Sequence, residues 1–273
     1  QGSITPLHNN GDAAQTAHGP ITADWPEPLD LADGEDRPIV VELLGPFHIT
    51  IHGQAITSGL RGRARALFAW YLLRPEGATI DEAVDALWPN TEPDQVRRQF
   101  WRPFGDLRTR LRSTGDNSLE VLEKIGEHYR PHPGEITCDL WMYERALGDA
   151  ARAGDDDTAR VALRRAVDAY RGDLLSGVGY SWVEPVRQDL HRRALDAQLR
   201  LAELDDRAGH PELAVEVLER AIDLDRYAEE PYRRLMALHA AHGRPDAVTA
   251  TWQLLRSRLA DLDVDMDETT ARF

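Results

Sequence analysis

The sequence predicts an α+β first half followed by an all-helical second half. Three observations carry this. Residues 39–57 hold two short β-rich runs around Gly45-Pro46, before any helical period begins. Three segments of helical period and then a second β-rich pair follow, up to about residue 137. From Asp139 onward apolar residues recur at helical spacing, and Gly209-His210-Pro211 returns as Gly243-Arg244-Pro245, 34 residues later.

Residues 1–37 carry 7 acids and 1 base, with Gly, Pro and Thr and no apolar period, which reads as a flexible acidic linker. Trp25 is a candidate to pin it to a surface. The chain opens on Gln1-Gly2-Ser3 and not on Met, which reads as a piece of a longer polypeptide. The β-rich runs Ile39–Leu44 and Phe47–Ile51 then predict a small antiparallel sheet, with a turn at His52-Gly53-Gln54 before a short third strand.

A helix is expected from Leu60 to Leu73, with Leu60, Ala64, Leu67, Phe68, Tyr71 and Leu72 inward, and Pro75 and Gly77 ending it. Arg61, Arg63 and Arg65 sit in its first turns, where the helix dipole disfavours cations, so they are either phosphate contacts or flexible surface groups. Thr79-Ile80-Asp81-Glu82 is a capping box opening a second helix, with Ile80, Ala83, Val84, Leu87 and Trp88 inward and Pro89 as its stop. The third helix spans Val96–Arg112. Val96, Phe100, Phe104, Leu107 and Leu111 share one stripe, while Arg97, Arg98, Arg102, Arg108 and Arg112 lie on its flank or far side. Leu119–Glu123 and Tyr129–Arg130 then flank Lys124–His128 as a hairpin.

Sheet, three helices and hairpin is the order of a winged helix, in which the third helix enters the major groove. The predicted domains are therefore a winged helix over 38–138 and an all-α region over 139–273. In the latter, Leu213, Val217, Leu218 and Ala221 form one apolar stripe and Val248, Trp252, Leu255 and Leu259 another. An earlier helix carries Ala162, Leu163, Ala166, Val167 and Tyr170. A 34-residue helix–turn–helix period is that of tetratricopeptide repeats, whose stacked helix pairs present concave surfaces to protein partners.

Four segments of the first half, Leu43-Leu44-Gly45-Pro46-Phe47, Arg65-Ala66-Leu67, Ala86-Leu87-Trp88-Pro89 and Leu107–Arg112, resemble the DNA-binding domain of the Streptomyces antibiotic regulatory protein (SARP) family. Arg171-Gly172-Asp173-Leu174-Leu175 and the stretch Leu259 to Thr269 resemble the bacterial transcriptional activator domain that follows it in that family. The resemblance implies a cytoplasmic transcription activator whose winged helices bind promoter direct repeats and whose helical domain contacts RNA polymerase or other proteins, with homo-oligomers possible on the DNA.

On that reading Arg98 and Arg102 meet guanine edges, and Arg97, Arg108 and Arg112 meet phosphates, with Lys124 and Arg130 doing so from the wing. Against it stand the net charge of −15, Pro103 inside the third helix, bulky Trp101 on its flank and acidic Glu127 at the wing tip. These favour an alternative, a protein-interaction module of a larger multidomain protein in which Trp101 and Phe100 anchor a partner. The charge is uneven: residues 38–137 hold 13 acids and 12 bases, and distant acids are largely screened beyond a Debye length of about 10 Å at 0.1 M salt.

No enzyme, cofactor or metal is expected. No Gly-rich phosphate loop or nucleophile elbow occurs. Asp261, Asp263, Asp265 and Asp267 alternate as in a calcium loop, but Met266 and Arg272 occupy the positions that need Gly and Glu. His128, His132 and Cys138 match no zinc spacing. The single cysteine allows no internal disulfide and points to a reducing compartment, and no apolar run approaches membrane length.

Overall fold

The computed structural model describes residues 37–56, 62–89, 102, 105, 108–109 and 119–272. β1 (Ile39–Glu42) pairs antiparallel with β2 (His48–Ile51), which pairs with the short β3 (Gln54–Ala55). Alternation sets which face is buried: Ile39, Val41, Ile49 and Ile51 point inward and Val40 outward.

α1 (Gly62–Leu72) follows, and α2 (Ile80–Leu87) opens on the expected capping box. The Thr79 hydroxyl accepts the Glu82 N–H, and the Glu82 carboxylate accepts the Thr79 N–H at 2.7 Å. α1 is buried on more sides than a single inward stripe predicts. Ala64, Phe68, Ala69 and Leu72 pack with the sheet, while Leu67, Trp70 and Tyr71 pack with α2. The helix is thus the wall between two cores.

β4 (Leu122–Ile125) and β5 (His128–Pro131) form the hairpin. Its connection is tighter than the expected loop over Lys124–His128. Strand pairing continues to Ile125↔His128, because Gly126 takes a positive φ of 61° and lets the chain reverse in two residues. The first strand of the hairpin also starts later than the expected Leu119, at Leu122, and Leu119 and Val121 are instead buried in the sheet core.

β6 (Ile136–Cys138) then returns to the sheet, parallel to β1, giving the order β3-β2-β1-β6. The sheet is therefore mixed and not purely antiparallel. β6 runs directly into α3 (Asp139–Arg152), followed by α4 (Asp156–Ala169), α5 (Glu184–Arg207), α6 (Pro211–Leu224), α7 (Glu229–Ala241), α8 (Pro245–Asp261) and the short α9 (Glu268–Ala271).

Pro211 and Pro245 stand in the first turns of α6 and α8, where a missing N–H costs nothing, and Gly209 and Gly243 supply the left-handed turns before them at φ +80° and +68°. The two glycine–proline triplets thus start equivalent helices of successive pairs. In α6 the buried stripe is Ala214, Val217, Leu218 and Ala221. Leu213, expected in the same stripe, is 39% exposed, because it lies at the stripe's edge, about 90° from its centre.

One core runs through both halves. Ile39, Val41, Phe68 and Leu72 share a cluster with Leu140, Tyr143, Leu174, Val183 and Leu190. A further core, besides the two that α1 divides, lies among α4 to α8.

Candidate nucleic-acid interface

The third-helix residues Arg97, Arg98, Phe100, Trp101, Pro103 and Arg112 lie outside the described residues. Arg102, Gly105, Arg108 and Thr109 are helical, and all four are exposed. At 3.6 residues per turn they fall within about 120° of arc, so they belong to one outward face. The Thr109 hydroxyl donates to the Gly105 carbonyl one turn back at 2.7 Å. A Cβ on Gly105 would meet open space, leaving the backbone accessible between the two arginines.

The wing is held against the body through backbone. Tyr129 N–H donates to Ala78 O at 2.8 Å, and Ala78 N–H donates to Tyr129 O at 3.0 Å. This close approach needs the glycine beside it: a Cβ on Gly77, whose φ is +94°, would sit 3.0 Å from Arg130 Cβ and 3.1 Å from Tyr129 O. Register then decides where the cations point. Glu123 faces Arg130 across the ladder, and Lys124 faces Tyr129. Successive strand residues alternate faces, so Lys124 and Arg130 point to opposite sides of the hairpin.

Arg130 is also engaged, its Nε 2.5 Å from Glu123 Oε1. The exposed Lys124 ammonium lies 5.7 Å from the Tyr129 ring centroid. The structure therefore separates the two cations that the sequence grouped, and leaves Lys124 as the more available one. Glu127 is exposed at the tip. In α1, Arg63 is exposed and Arg65 half-buried; Arg61 lies outside the described residues.

What sequence reasoning missed is how this half is held by the next. The Leu43-Leu44-Gly45 segment meets the Asp173-Leu174-Leu175 segment. Leu44 and Leu174 form an antiparallel bridge, Gly45 N–H donates to Asp173 O at 3.1 Å, and Leu175 N–H donates to Leu43 O at 2.8 Å. Leu175 takes a left-handed φ of +50°, costing about 1–2 kcal/mol, and the contacts around it hold it there.

Arg187 of α5 donates to the carbonyls of Leu174, Leu175 and Val178. The Asp139 carboxylate, in the first turn of α3, accepts the N–H groups of Leu43 at 2.8 Å and Leu44 at 2.9 Å. Burial pushes this carboxyl above its usual range, although those N–H groups and that of Leu140 pull it down.

Aromatic groups from the second half also grip α1 at both ends. The Tyr180 hydroxyl donates to Gly62 O at 2.9 Å, and the Trp141 indole N–H donates to Leu72 O at 2.8 Å. Leu72 is the last residue of α1, so its carbonyl has no partner within the helix. Trp182, stacked on Tyr180 with centroids 5.9 Å apart, packs into both cores that α1 divides. The two family-like motifs were the available signal for this junction, but nothing in their spacing shows that they touch.

Among the described residues no group of three or more His, Cys, Asp or Glu side chains could hold a metal ion. Asp267, part of the alternating acid run, instead caps α9 by accepting the Thr269 N–H at 2.7 Å. Cys138 is buried in β6, where burial raises its thiol. No helix among the described residues is long and apolar enough to cross a membrane.

Residues 138–273 match the family described as bacterial transcriptional activator domain. The chain is similar to the SARP-like regulators. It is 32% identical over 234 residues to the regulatory protein AfsR of Streptomyces coelicolor, covering 82% of this chain and 22% of that protein. It is 28% identical over 232 residues to the transcriptional regulatory protein EmbR of Mycobacterium tuberculosis, covering 82% of this chain and 59% of EmbR. MoaR1 of the same organism is 26% identical over 225 residues, covering 80% of this chain and 72% of that protein.

The chain thus spans about three fifths of the length of EmbR. The solved structure of M. tuberculosis EmbR in complex with a low-affinity phosphopeptide superposes with a TM-score of 0.63 at 24% identity, covering 87% of this chain and 64% of that one. The fold is accordingly a winged helix followed by a tetratricopeptide-like helical domain. Its second half is the activator domain.

Proposed function

We propose that the chain is a DNA-binding transcription activator whose winged helix reads promoter direct repeats and whose activator domain engages RNA polymerase or another protein. The observation that carries this is the joining of a winged helix to an activator domain through one core in this chain, which is similar to proteins named transcriptional regulatory proteins. The exposed face of Arg102, Gly105, Arg108 and Thr109 supports direct contact with a duplex. Arg98 and Arg102 are assigned to base edges. Arg97, Arg108, Arg112 and Lys124 are assigned to phosphates, with Arg130 contributing less because Glu123 already holds it. The proposed domain limits are 1–37, 38–138 and 139–273, and no catalytic role or cofactor is assigned.

The test is binding to random duplex pools across salt concentrations. The log of affinity should fall with the log of salt with a slope of roughly −4 to −7, for about five to eight phosphates neutralised. Lys124→Ala should reduce the slope by about 1, and Arg130→Ala by clearly less. Absence of binding to any duplex at low salt, or equal slopes for both variants, overturns the assignment.

A second reading is favoured by the Glu123–Arg130 pair and the exposed Glu127, which leave the wing with a single available cation. On it the winged helix binds protein through Phe100 and Trp101. Loss of assembly in Trp101→Ala on size exclusion, with no duplex binding by the parent chain, would establish it.

A further inference from the structure

We infer that the groove between α3 and α5 of the activator domain, floored by the start of α4, is a docking site for a basic amphipathic helix of a partner protein. The inference rests on reading the helical half as partner-binding and not on the DNA contacts. The groove holds about 730 Å³, within the range of built ligand sites. Its surface is cut back to small side chains at Ala151 on α3, Ala159 on α4 and Ala197 on α5, while the Arg152 guanidinium lies over Gly148. Neighbouring helices normally interdigitate with larger residues, so a face of this kind admits the side chains of another helix. Leu147 and Leu163 add apolar contact.

Charge decides the kind of occupant. Four carboxylates and two guanidinium groups line the groove. One guanidinium is already committed, since Arg193 donates to both oxygens of Glu144 at 2.7 and 2.6 Å. That leaves Asp155 and Asp156 at one end and Asp196 on the α5 wall, against Arg200 and the Arg152 guanidinium over Gly148, the latter already paired with Asp149 at 3.1 Å. The Asp156 carboxylate has an Arg207 guanidinium at 3.3 Å and the Asp155 carboxylate caps α4, while Asp196 has only an Arg192 nitrogen at 3.9 Å. An occupant with an apolar stripe and lysines or arginines on its flanks matches an apolar floor between acidic rims. An acidic helix would place like charges together, a mismatch that selects against such partners.

The test uses the full chain and two labelled 14-residue amphipathic helical peptides with the same Leu/Ala face, one flanked by Lys and one by Glu, read by fluorescence anisotropy at 150 mM salt. The Lys peptide should bind saturably at one site and the Glu peptide at least tenfold more weakly. Asp196→Lys, which reverses the rim, and Ala151→Phe, which fills the groove from an exposed position, should each weaken the Lys peptide fivefold or more. Glu216→Lys on α6 makes the same change in net charge away from the groove and should leave affinity within twofold. Thermal melts show that each variant is folded.

Equal losses for Asp196→Lys and Glu216→Lys would mean attraction by net charge, and would overturn the inference. No binding of the Lys peptide, or equal binding of both peptides, would overturn it too. Saturable binding indifferent to Ala151→Phe would overturn the groove while leaving a partner-binding activator domain standing.

Discussion

Replacing Asp139 by alanine should destabilise the chain by about 2–6 kcal/mol, because it leaves two fully buried backbone donors without an acceptor at about 1–3 kcal/mol each. Leu43 and Leu44 are 0% and 2% exposed, so water cannot take over from the lost carboxylate. The third N–H that Asp139 accepts, from Leu140, is in a helical first turn and adds less. Asp139→Asn keeps one acceptor oxygen but turns an NH2 group toward the second donor, so it leaves one N–H unsatisfied and should cost about 1–3 kcal/mol, less than alanine.

The pH dependence has a definite sign. Burial raises the Asp139 carboxyl in the folded chain, so its contribution is fully present below the unfolded range and declines as pH rises through the folded value. Asn does not titrate, so that decline should vanish in Asp139→Asn. Urea unfolding of the full chain, with midpoint and slope compared among the three proteins, measures all of this. A cost under about 1 kcal/mol for alanine, or an equal cost for Asn and Ala, would show that the carboxylate does not join the two halves as described.

The buried Glu144–Arg193 pair gives a cycle. Glu144→Ala alone leaves a half-buried guanidinium and should cost about 3–5 kcal/mol, whereas Glu144→Met with Arg193→Met should recover most of it, as read by denaturant midpoints. Burial works against the Arg193 cation, and the Glu144 carboxylate more than offsets it, so the two changes should not add. The Glu82 carboxyl is held below its usual range, chiefly by accepting the Thr79 N–H. That stability is present above the unfolded carboxylate range and is lost as pH falls through the folded value. Glu82→Gln keeps a capping acceptor, so it should cost less than about 1 kcal/mol at pH 7 and flatten the acid limb of a thermal-melt series.

The local elements were legible because their causes are local. Alternation at Ile39–Val41 and Ile49–Ile51, the capping box at Thr79–Glu82 and the Gly–Pro turns before α6 and α8 each act within a few residues, where the spacing of side chains sets the geometry. The class of the chain and the order of its halves followed from these signals and from the motifs they frame. Of the candidate interface, the outward placing of Arg102 and Arg108 was readable from the helical period.

Tertiary structure decided the rest. Whether Lys124 and Arg130 share a face depends on strand register, and a cation's availability depends on which acid stands opposite it. The double burial of α1 and the parallel return of β6 come from surfaces that meet only after folding. The junction of Leu43–Gly45 with Asp173–Leu175, about 130 residues apart, is made mostly by backbone hydrogen bonds. Every residue but proline carries the same backbone donor and acceptor, so those bonds leave no mark in side-chain identity. Composition and period could foresee the two halves, but not the surface on which they became one body.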